Sequence, residues 1–253
     1  MRLKNKVSII TGAGTGIGKA TALRFGQEGA KVVVADLDDA AGQEAVRQIK
    51  EAGGEATFVH TDVSRSKDCR LLMEESTKAF GRIDILVNNA GIYVQGSITD
   101  TSEEDWERIL AVNLDGVFYC SRHAVPYMIK AGGGSIVHVG SEAGIVGIKN
   151  QLAYNVSKAA VIMMAKSMAI DLAKYNVRVN TVCPGTTETP LVKAAIEKSP
   201  DPTETRKALE GCRPANRLGL PEEIASAIAF IASDEPGYAT GSDLIIDGGM
   251  TAW

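Results

Sequence analysis

Metal-ligand clusters, basic stripes and long apolar runs are all missing from this 253-residue sequence, and each absence removes a class of function. The four cysteines, Cys69, Cys120, Cys183 and Cys212, stand far apart with no CxxC pair, and no histidine lies at a zinc spacing from them. No metal site is expected; free buried thiols in a reducing compartment are. Lys plus Arg number 27 against 31 Asp plus Glu, a net charge of -4 scattered along the chain. That leaves no stripe able to neutralise phosphates, so nucleic acid is not an expected partner. The N-terminal apolar run is about four residues, shorter than a secretory signal needs, and nothing approaches a membrane span. The expected location is the cytoplasm. No Pro/Ser-rich linker, low-complexity tract or internal repeat interrupts the chain, so residues 1–253 are read as one domain.

What is present is a rhythm. Short apolar runs at 7–10, 31–35, 56–60, 85–89, 135–140, 177–182 and 243–247 predict seven strands, separated by amphipathic stretches of helical period. Several runs are apolar at consecutive positions, the mark of strands covered on both faces as in a parallel sheet. The strand-helix alternation predicts a doubly wound α/β fold. One stretch is irregular: between Thr189 and Leu218, Ser199-Pro200-Asp201-Pro202 breaks a helical pattern, and residues 189–218 are read as a lid.

Directly after the first strand comes Thr11-Gly12-Ala13-Gly14-Thr15-Gly16-Ile17-Gly18, where strand becomes helix. Glycines there permit a tight turn and close backbone approach to a pyrophosphate, whose charge the first N–H groups of the helix can hold. Asp36 follows 18 residues past Gly18, at the end of the second strand. A carboxylate at that point accepts hydrogen bonds from the adenosine ribose hydroxyls and repels a 2′-phosphate. Leu37, Asp38 and Asp39 supply no cation to reward that phosphate, so NAD is expected rather than NADP.

Tyr154 and Lys158 stand at i and i+4 in a strongly helical segment, on one face and within reach of each other. A phenol titrates near pH 10, and a neighbouring ammonium favours its ionised form, so Lys158 is expected to lower the Tyr154 pKa toward that of a useful base. Any helix can show such a pair by chance. Ser141 gives it meaning: it ends the fifth strand, at the carboxyl edge where ligands bind in such sheets, and its hydroxyl can hold a substrate oxygen.

With these residues in place the chain resembles the short-chain dehydrogenase/reductase family over essentially its whole length. The resemblance is carried by TGAGTGIG at 11–18, Asp62-Val63, NNAG at 88–91, Asn113, Ser141, YNVSK at 154–158 and PGTTET at 184–189. It implies a single-domain Rossmann-type fold in which Tyr154 removes the alcohol proton as hydride passes to the nicotinamide, and returns it in reduction. It implies that Lys158 also binds the nicotinamide ribose, that Ser141 positions the reacting oxygen, and that Asn113 holds a water relaying the proton. Gly12, Thr15, Gly16, Ile17 and Gly18 become the pyrophosphate turn, Asp62 and Val63 the adenine contacts, and Asn89, Ala90 and Gly91 the loop behind the ribose. Pro184, Gly185, Thr187 and Thr189 hold the nicotinamide and pyrophosphate. Family members commonly assemble as dimers or tetramers, so a homo-oligomer is expected. The main departure is Gly140, where many members carry a second serine.

The function expected is oxidation of a secondary alcohol with NAD, or the reverse. Two alternatives stay open: a 3-oxoacyl-carrier-protein reductase, whose members usually carry basic residues near position 37, and a non-catalytic NAD-binding sensor, which typically loses the tyrosine or lysine. Substrate identity is expected to lie in Tyr93, Val94 and Gln95, in Glu142 to Gln151, and in the lid. His138 is read as a hydrogen-bonded core residue, and Met163, Met164 and Met168 as a packing face.

Overall fold

Each expected strand forms, because each apolar run is short, β-branched and bounded by turn residues. In the computed structural model, which describes residues 1–252, they are β1 (Val7–Thr11), β2 (Lys31–Asp36), β3 (Glu55–His60), β4 (Ile85–Asn88), β5 (Gly134–Val139), β6 (Val177–Pro184) and β7 (Asp243–Ile246). The helices are α1 (Gly16–Gln27), α2 (Asp39–Glu51), α3 (Ser66–Phe80), α4 (Glu103–Leu110), α5 (Gly116–Lys130), α6 (Leu152–Leu172), α7 (Pro190–Glu197), α8 (Pro202–Gly211) and α9 (Pro221–Ala232). All strands are parallel, in the order β3-β2-β1-β4-β5-β6-β7. One domain results.

Alternation along the strands divides the core into two layers, one on each face of the sheet. Ile10, Val32, Val34 and Val137 pack with Phe25 of α1, Ile49 of α2 and Ile228 of α9. Their sequence neighbours Ile9, Val33 and Ile136 face the other way, onto Leu72 of α3, Met128 of α5 and Ala165 of α6. Strand order reverses between β1 and β4, so the chains leaving these two strands diverge and open a crevice at their carboxyl ends. Residues 11–18, 88–91 and 141 all gather at that edge.

The irregular stretch resolves into α7 and α8. Pro190 and Pro202 each occupy the first helical turn, where a missing N–H costs nothing, and Thr189 and Asp201 cap the helices by accepting from Val192 N and Glu204 N.

His138 of β5 is fully buried, and its Nδ1 accepts from Asn88 Nδ2 at 3.1 Å. Burial, helped by the Lys158 charge, lowers its pKa to about 3. Because the native value lies below the ordinary one of about 6.5, the unfolded chain takes up the proton first on acidification. Stability present above pH 6.5 is therefore lost as pH falls toward 3, by on the order of 5 kcal/mol when fully expressed. His138→Gln should flatten this limb: urea unfolding at pH 7 and pH 4.5 should show a smaller loss in the variant than in the wild type.

Candidate active site

The cofactor end is built by close backbone approach. A Cβ placed on Gly18 would lie 2.1 Å from the Gly12 carbonyl oxygen, and one on Gly12 would lie 2.8 Å from Cα of Ala90. Gly12 and Gly16 have φ of 62° and 54°, left-handed values that glycine adopts without strain. Thr15 enters α1 extended and its side chain caps nothing, and the first turn contains no acidic residue. The leading N–H groups of a twelve-residue helix are thus free for an anion. Thr189 packs over the same turn, 3.2 Å from where a Cβ on Gly16 would stand.

Asparagine and threonine side chains sew the turn to β4. Asn89 Nδ2 donates to the carbonyls of Thr11 at 2.9 Å and Gly12 at 3.0 Å, while Thr11 Oγ1 accepts from Asn89 N and Ala90 N. Thr11 was visible only as the first letter of a motif, yet its hydroxyl ties both loops. Asp36 reaches the turn from β2: its carboxylate accepts from Gly14 N at 2.7 Å and from Asp38 N at 3.0 Å. It is partly exposed, with Leu37 beside it turned to solvent. Asp62 stands in the turn after β3, accepting from Ser64 N and Ser64 Oγ, and Val63 is buried against Gly116. Glycines that leave room only for backbone, an uncapped helix start and a ribose-height carboxylate suit a dinucleotide cofactor.

The chemical end lies on the other side of the crevice. Tyr154 and Lys158 occupy one face of α6, and Lys158 Nζ lies 5.7 Å from the centre of the Tyr154 ring. Ser141 lies close enough to the phenol to lower its pKa, and its Oγ accepts from Ala143 N at 3.1 Å. Tyr93, from the loop after β4, meets the Tyr154 ring edge-on, with centroids 5.4 Å apart and planes at 73°.

The expected effect of Lys158 on the phenol is not what the protein alone produces. Burial pushes the Tyr154 pKa up to about 12, with the Ser141 hydroxyl opposing and the charges of Glu142 and Tyr93 adding to the rise. Burial also brings Lys158 down to about 8. The physical reason is that Lys158 is buried and the phenol is packed among protein atoms, and that the ammonium is turned to the Val139 carbonyl, 2.8 Å away, and to the ring face. The resting phenol is protonated.

Asn113 sits inside a single π turn, Ala111–Asp115, between α4 and α5. Its Oδ1 accepts from Ile92 N at 2.8 Å and its Nδ2 donates to Ile92 O at 2.9 Å and to Ser157 Oγ at 3.2 Å. The side chain is thus engaged in clamping the loop after Gly91 to α6, a task the sequence did not suggest. Gly140 has a packing reason: a Cβ there would lie 2.8 Å from Thr181 Cγ2 and 3.0 Å from Cys183 Sγ, leaving no room for a second serine. Pro184 ends β6, Gly185 abuts Asp247, and Thr187 is buried with its hydroxyl donating to Gly185 O.

Glu142 departs from its reading as a loop residue suited to a polar substrate. It is 3% exposed and its Oε1 lies 3.2 Å from Nη2 of Arg213, itself 2% exposed. Arg213 drew no attention in the sequence, because nothing local marks a partner 71 residues away. Asn150 is exposed in a left-handed turn and Gln151 is partly buried. Among the described residues no cluster of His, Cys, Asp and Glu is placed to hold a metal ion, and no helix is long and apolar enough to cross a membrane.

The chain is similar to known proteins over its whole length. Residues 12–251 match a family model described as enoyl-(acyl carrier protein) reductase. An uncharacterized oxidoreductase of Thermotoga maritima is 49% identical over 252 residues, with all of each chain covered. A 3-oxoacyl-[acyl-carrier-protein] reductase of the same organism is 43% identical, with 99% of each covered. Meso-2,3-butanediol dehydrogenase of Serratia marcescens is 40% identical, over 100% of this chain and 97% of that one. The crystal structure of a short-chain type dehydrogenase/reductase from Mycobacterium marinum superposes with a TM-score of 0.92 at 37% identity, covering 99% of this chain and 97% of that one. With the glycine turn and the Ser141, Tyr154 and Lys158 cluster on opposite walls of one crevice, the chain is an oxidoreductase and belongs to the short-chain dehydrogenase/reductase family.

Proposed function

We propose that this oxidoreductase transfers hydride between a secondary alcohol, or its ketone, and NAD(H), with Tyr154 as general base in oxidation and general acid in reduction. The observation that carries the reading is the meeting of Ser141, Tyr154 and Lys158 at the carboxyl edge of the sheet, across the crevice from the glycine turn. A nicotinamide held there would supply the hydride acceptor or donor and, in its oxidised form, a positive charge. Ser141 holds the reacting oxygen, and Tyr154 takes or returns its proton. A phenol at about 12 stands roughly 5 units above neutrality, worth about 7 kcal/mol. That value already includes Lys158 where it stands, so the positive charge of the oxidised cofactor would have to supply the stabilisation, which is larger than an unperturbed phenol requires. Lys158 also binds the nicotinamide ribose. Asn113 keeps the loop carrying Tyr93 in place, and Tyr93 lines the substrate side. Asp62, Val63, Asn89, Ala90 and Gly91 enclose the adenosine, while Pro184, Gly185, Thr187 and Thr189 hold the nicotinamide end beneath a closing lid at 189–218.

Asp36 supports NAD over NADP, since its carboxylate sits against the turn and neither Leu37 nor Asp38 offers a cation. Asp36→Asn should shrink the NAD preference by about 1–3 kcal/mol through loss of charge-assisted hydrogen bonds. The ratio of kcat/KM with NAD to that with NADP measures this, and an unchanged ratio contradicts the assignment.

The 43% identity to a 3-oxoacyl-[acyl-carrier-protein] reductase favours one second reading, ketone reduction on an acyl thioester. Faster NADPH oxidation with a 3-oxoacyl thioester than NADH formation with any alcohol would select it. The intact set of Asn113, Ser141, Tyr154 and Lys158 argues against a cofactor-binding sensor. We place the protein in the cytoplasm, where free Cys69, Cys120, Cys183 and Cys212 stay reduced. We assign it a dimeric or tetrameric state: Met163 and Ile170 on α6 are 60% and 80% exposed, an apolar face suited to a second copy, whereas Met168 packs into the core.

A further inference from the structure

We propose that Glu142 and Arg213 form a buried latch through which the root of the 189–218 segment positions Ser141, making Glu142 a positioning residue for the reaction. This rests on the reading of Ser141 and Tyr154 as the reacting pair.

Glu142 cannot move without Ser141. It opens the 3-10 turn Glu142–Gly144, in which Ala143 N donates to Ser141 Oγ at 3.1 Å, Gly144 N to Ser141 O at 3.0 Å and Ile145 N to Glu142 O at 2.9 Å. The turn lies flat on α6: a Cβ on Gly144 would stand 2.7 Å from the Lys158 carbonyl carbon. A shift in Glu142 is therefore passed to the serine on one side and resisted by the lysine's backbone on the other.

The side chain leaves this turn and joins two other segments. Its Oε1 accepts from Arg213 Nη2 at 3.2 Å and from Thr186 Oγ1 at 3.4 Å, and Arg213 Nη2 also donates to Thr186 Oγ1 at 2.9 Å. Its Oε2 lies 2.7 Å from where a Cβ on Gly185 would be, so only glycine admits the carboxylate there. Arg213 stands just past α8; its Nη1 donates to Leu209 O, and its stem lies 3.3 Å from the Cβ position of Gly248. One carboxylate thus spans the serine turn, the loop after β6 and the end of the lid.

Stability does not account for it. Two charges taken from water recover their desolvation only with complete hydrogen bonding, and here Glu142 Oε2 and Arg213 Nε have no partner. Such a pair fixes geometry at the expense of stability. Its field also reaches the chemistry: burial raises the Glu142 pKa against the pull of Arg213, Asp247 raises it further, and Glu142 in turn raises that of Tyr154. The charged and titratable groups around Glu142 are Arg213, Asp247 and Tyr154, with Tyr93 and Lys158 beyond them against the Tyr154 ring.

The test compares Glu142→Gln, Arg213→Met and the double variant in the full chain, with meso-2,3-butanediol and cyclohexanol as alcohol probes and a timed tryptic digest as a readout independent of turnover. Glu142→Gln should lower kcat about tenfold or more with a smaller change in KM, since misplacing a catalytic group costs turnover before binding. The pH at which oxidation rises should move to lower values, because the charge that raises Tyr154 is gone. Cleavage at Lys193, Lys198, Arg206 and Lys207 should accelerate several-fold as the lid root loosens. The double variant, with no unpaired buried charge, should regain the thermal midpoint lost by either single variant but not kcat or the pH profile. A double variant with wild-type kcat and pH profile overturns the proposal, as does lid cleavage unchanged in Glu142→Gln. If the wild type forms no NADH from these probes or from a panel of linear, cyclic and vicinal-diol secondary alcohols, the reading of the reaction fails, and the digest alone then decides the latch.

Discussion

Tyr154→Phe is expected to lower kcat by about 10²–10⁴, the usual worth of a positioned acid or base, while NADH affinity stays within about threefold of wild type. The substitution removes one oxygen from a ring that keeps its packing, since Tyr93 meets its edge and Lys158 its face. Ser141 loses the neighbouring hydroxyl, but its Oγ still accepts from Ala143 N, so the serine turn stays in place. The proton route alone is lost. Stopped-flow measurement separates the two expectations: NADH fluorescence titration reports binding and absorbance at 340 nm reports turnover. A variant that binds NADH and retains more than about a tenth of kcat would mean that another group moves the proton.

Gly18→Ala should act at the other wall of the crevice. The added methyl would stand 2.1 Å from the Gly12 carbonyl oxygen and 2.4 Å from Asn89 Nδ2, both fixed by the ties between the turn and β4. No rotamer relieves a clash made by a Cβ, so the β1–α1 turn must open. Overpacking of this kind costs about 1–3 kcal/mol or more, and in a chain of this size each kcal/mol lowers Tm by about 2–4 °C. Cofactor affinity should suffer more than stability, because the amides that face the pyrophosphate belong to the displaced turn. We expect NADH binding weakened by about a hundredfold, or roughly 3 kcal/mol, on titration. Wild-type affinity in a folded Gly18→Ala variant would show that the turn does not hold the dinucleotide.

These two positions also show what the sequence could and could not convey. The seven strands were legible because strands buried on both faces are continuous apolar runs, and the structure alters only their ends: β4 stops at Asn88, and β6 runs on to Pro184. The glycine turn and the Tyr154–Lys158 pair were legible because their chemistry depends on local spacing. The protonation of the site was not. Spacing says that an ammonium is near a phenol, but only burial decides that the phenol rises to about 12 and the lysine falls to about 8. Asn113 was legible as a motif residue and illegible as a clamp, since its partners Ile92 and Ser157 are brought to it by the fold. The Glu142–Arg213 pair was illegible for the same reason, and the close walls around Gly140 appear only once β6 is laid beside β5.

The central claim is that Tyr154 and NAD together oxidise a secondary alcohol in this crevice. The most direct measurement is NADH formation at 340 nm by the purified wild type across linear, cyclic and vicinal-diol secondary alcohols, run in parallel with NAD and NADP and with Tyr154→Phe as control. The account predicts NADH from at least one alcohol, a higher kcat/KM with NAD than with NADP, and no comparable rate in the variant. NADH from none of them, a preference for NADP, or equal rates in wild type and Tyr154→Phe would contradict it.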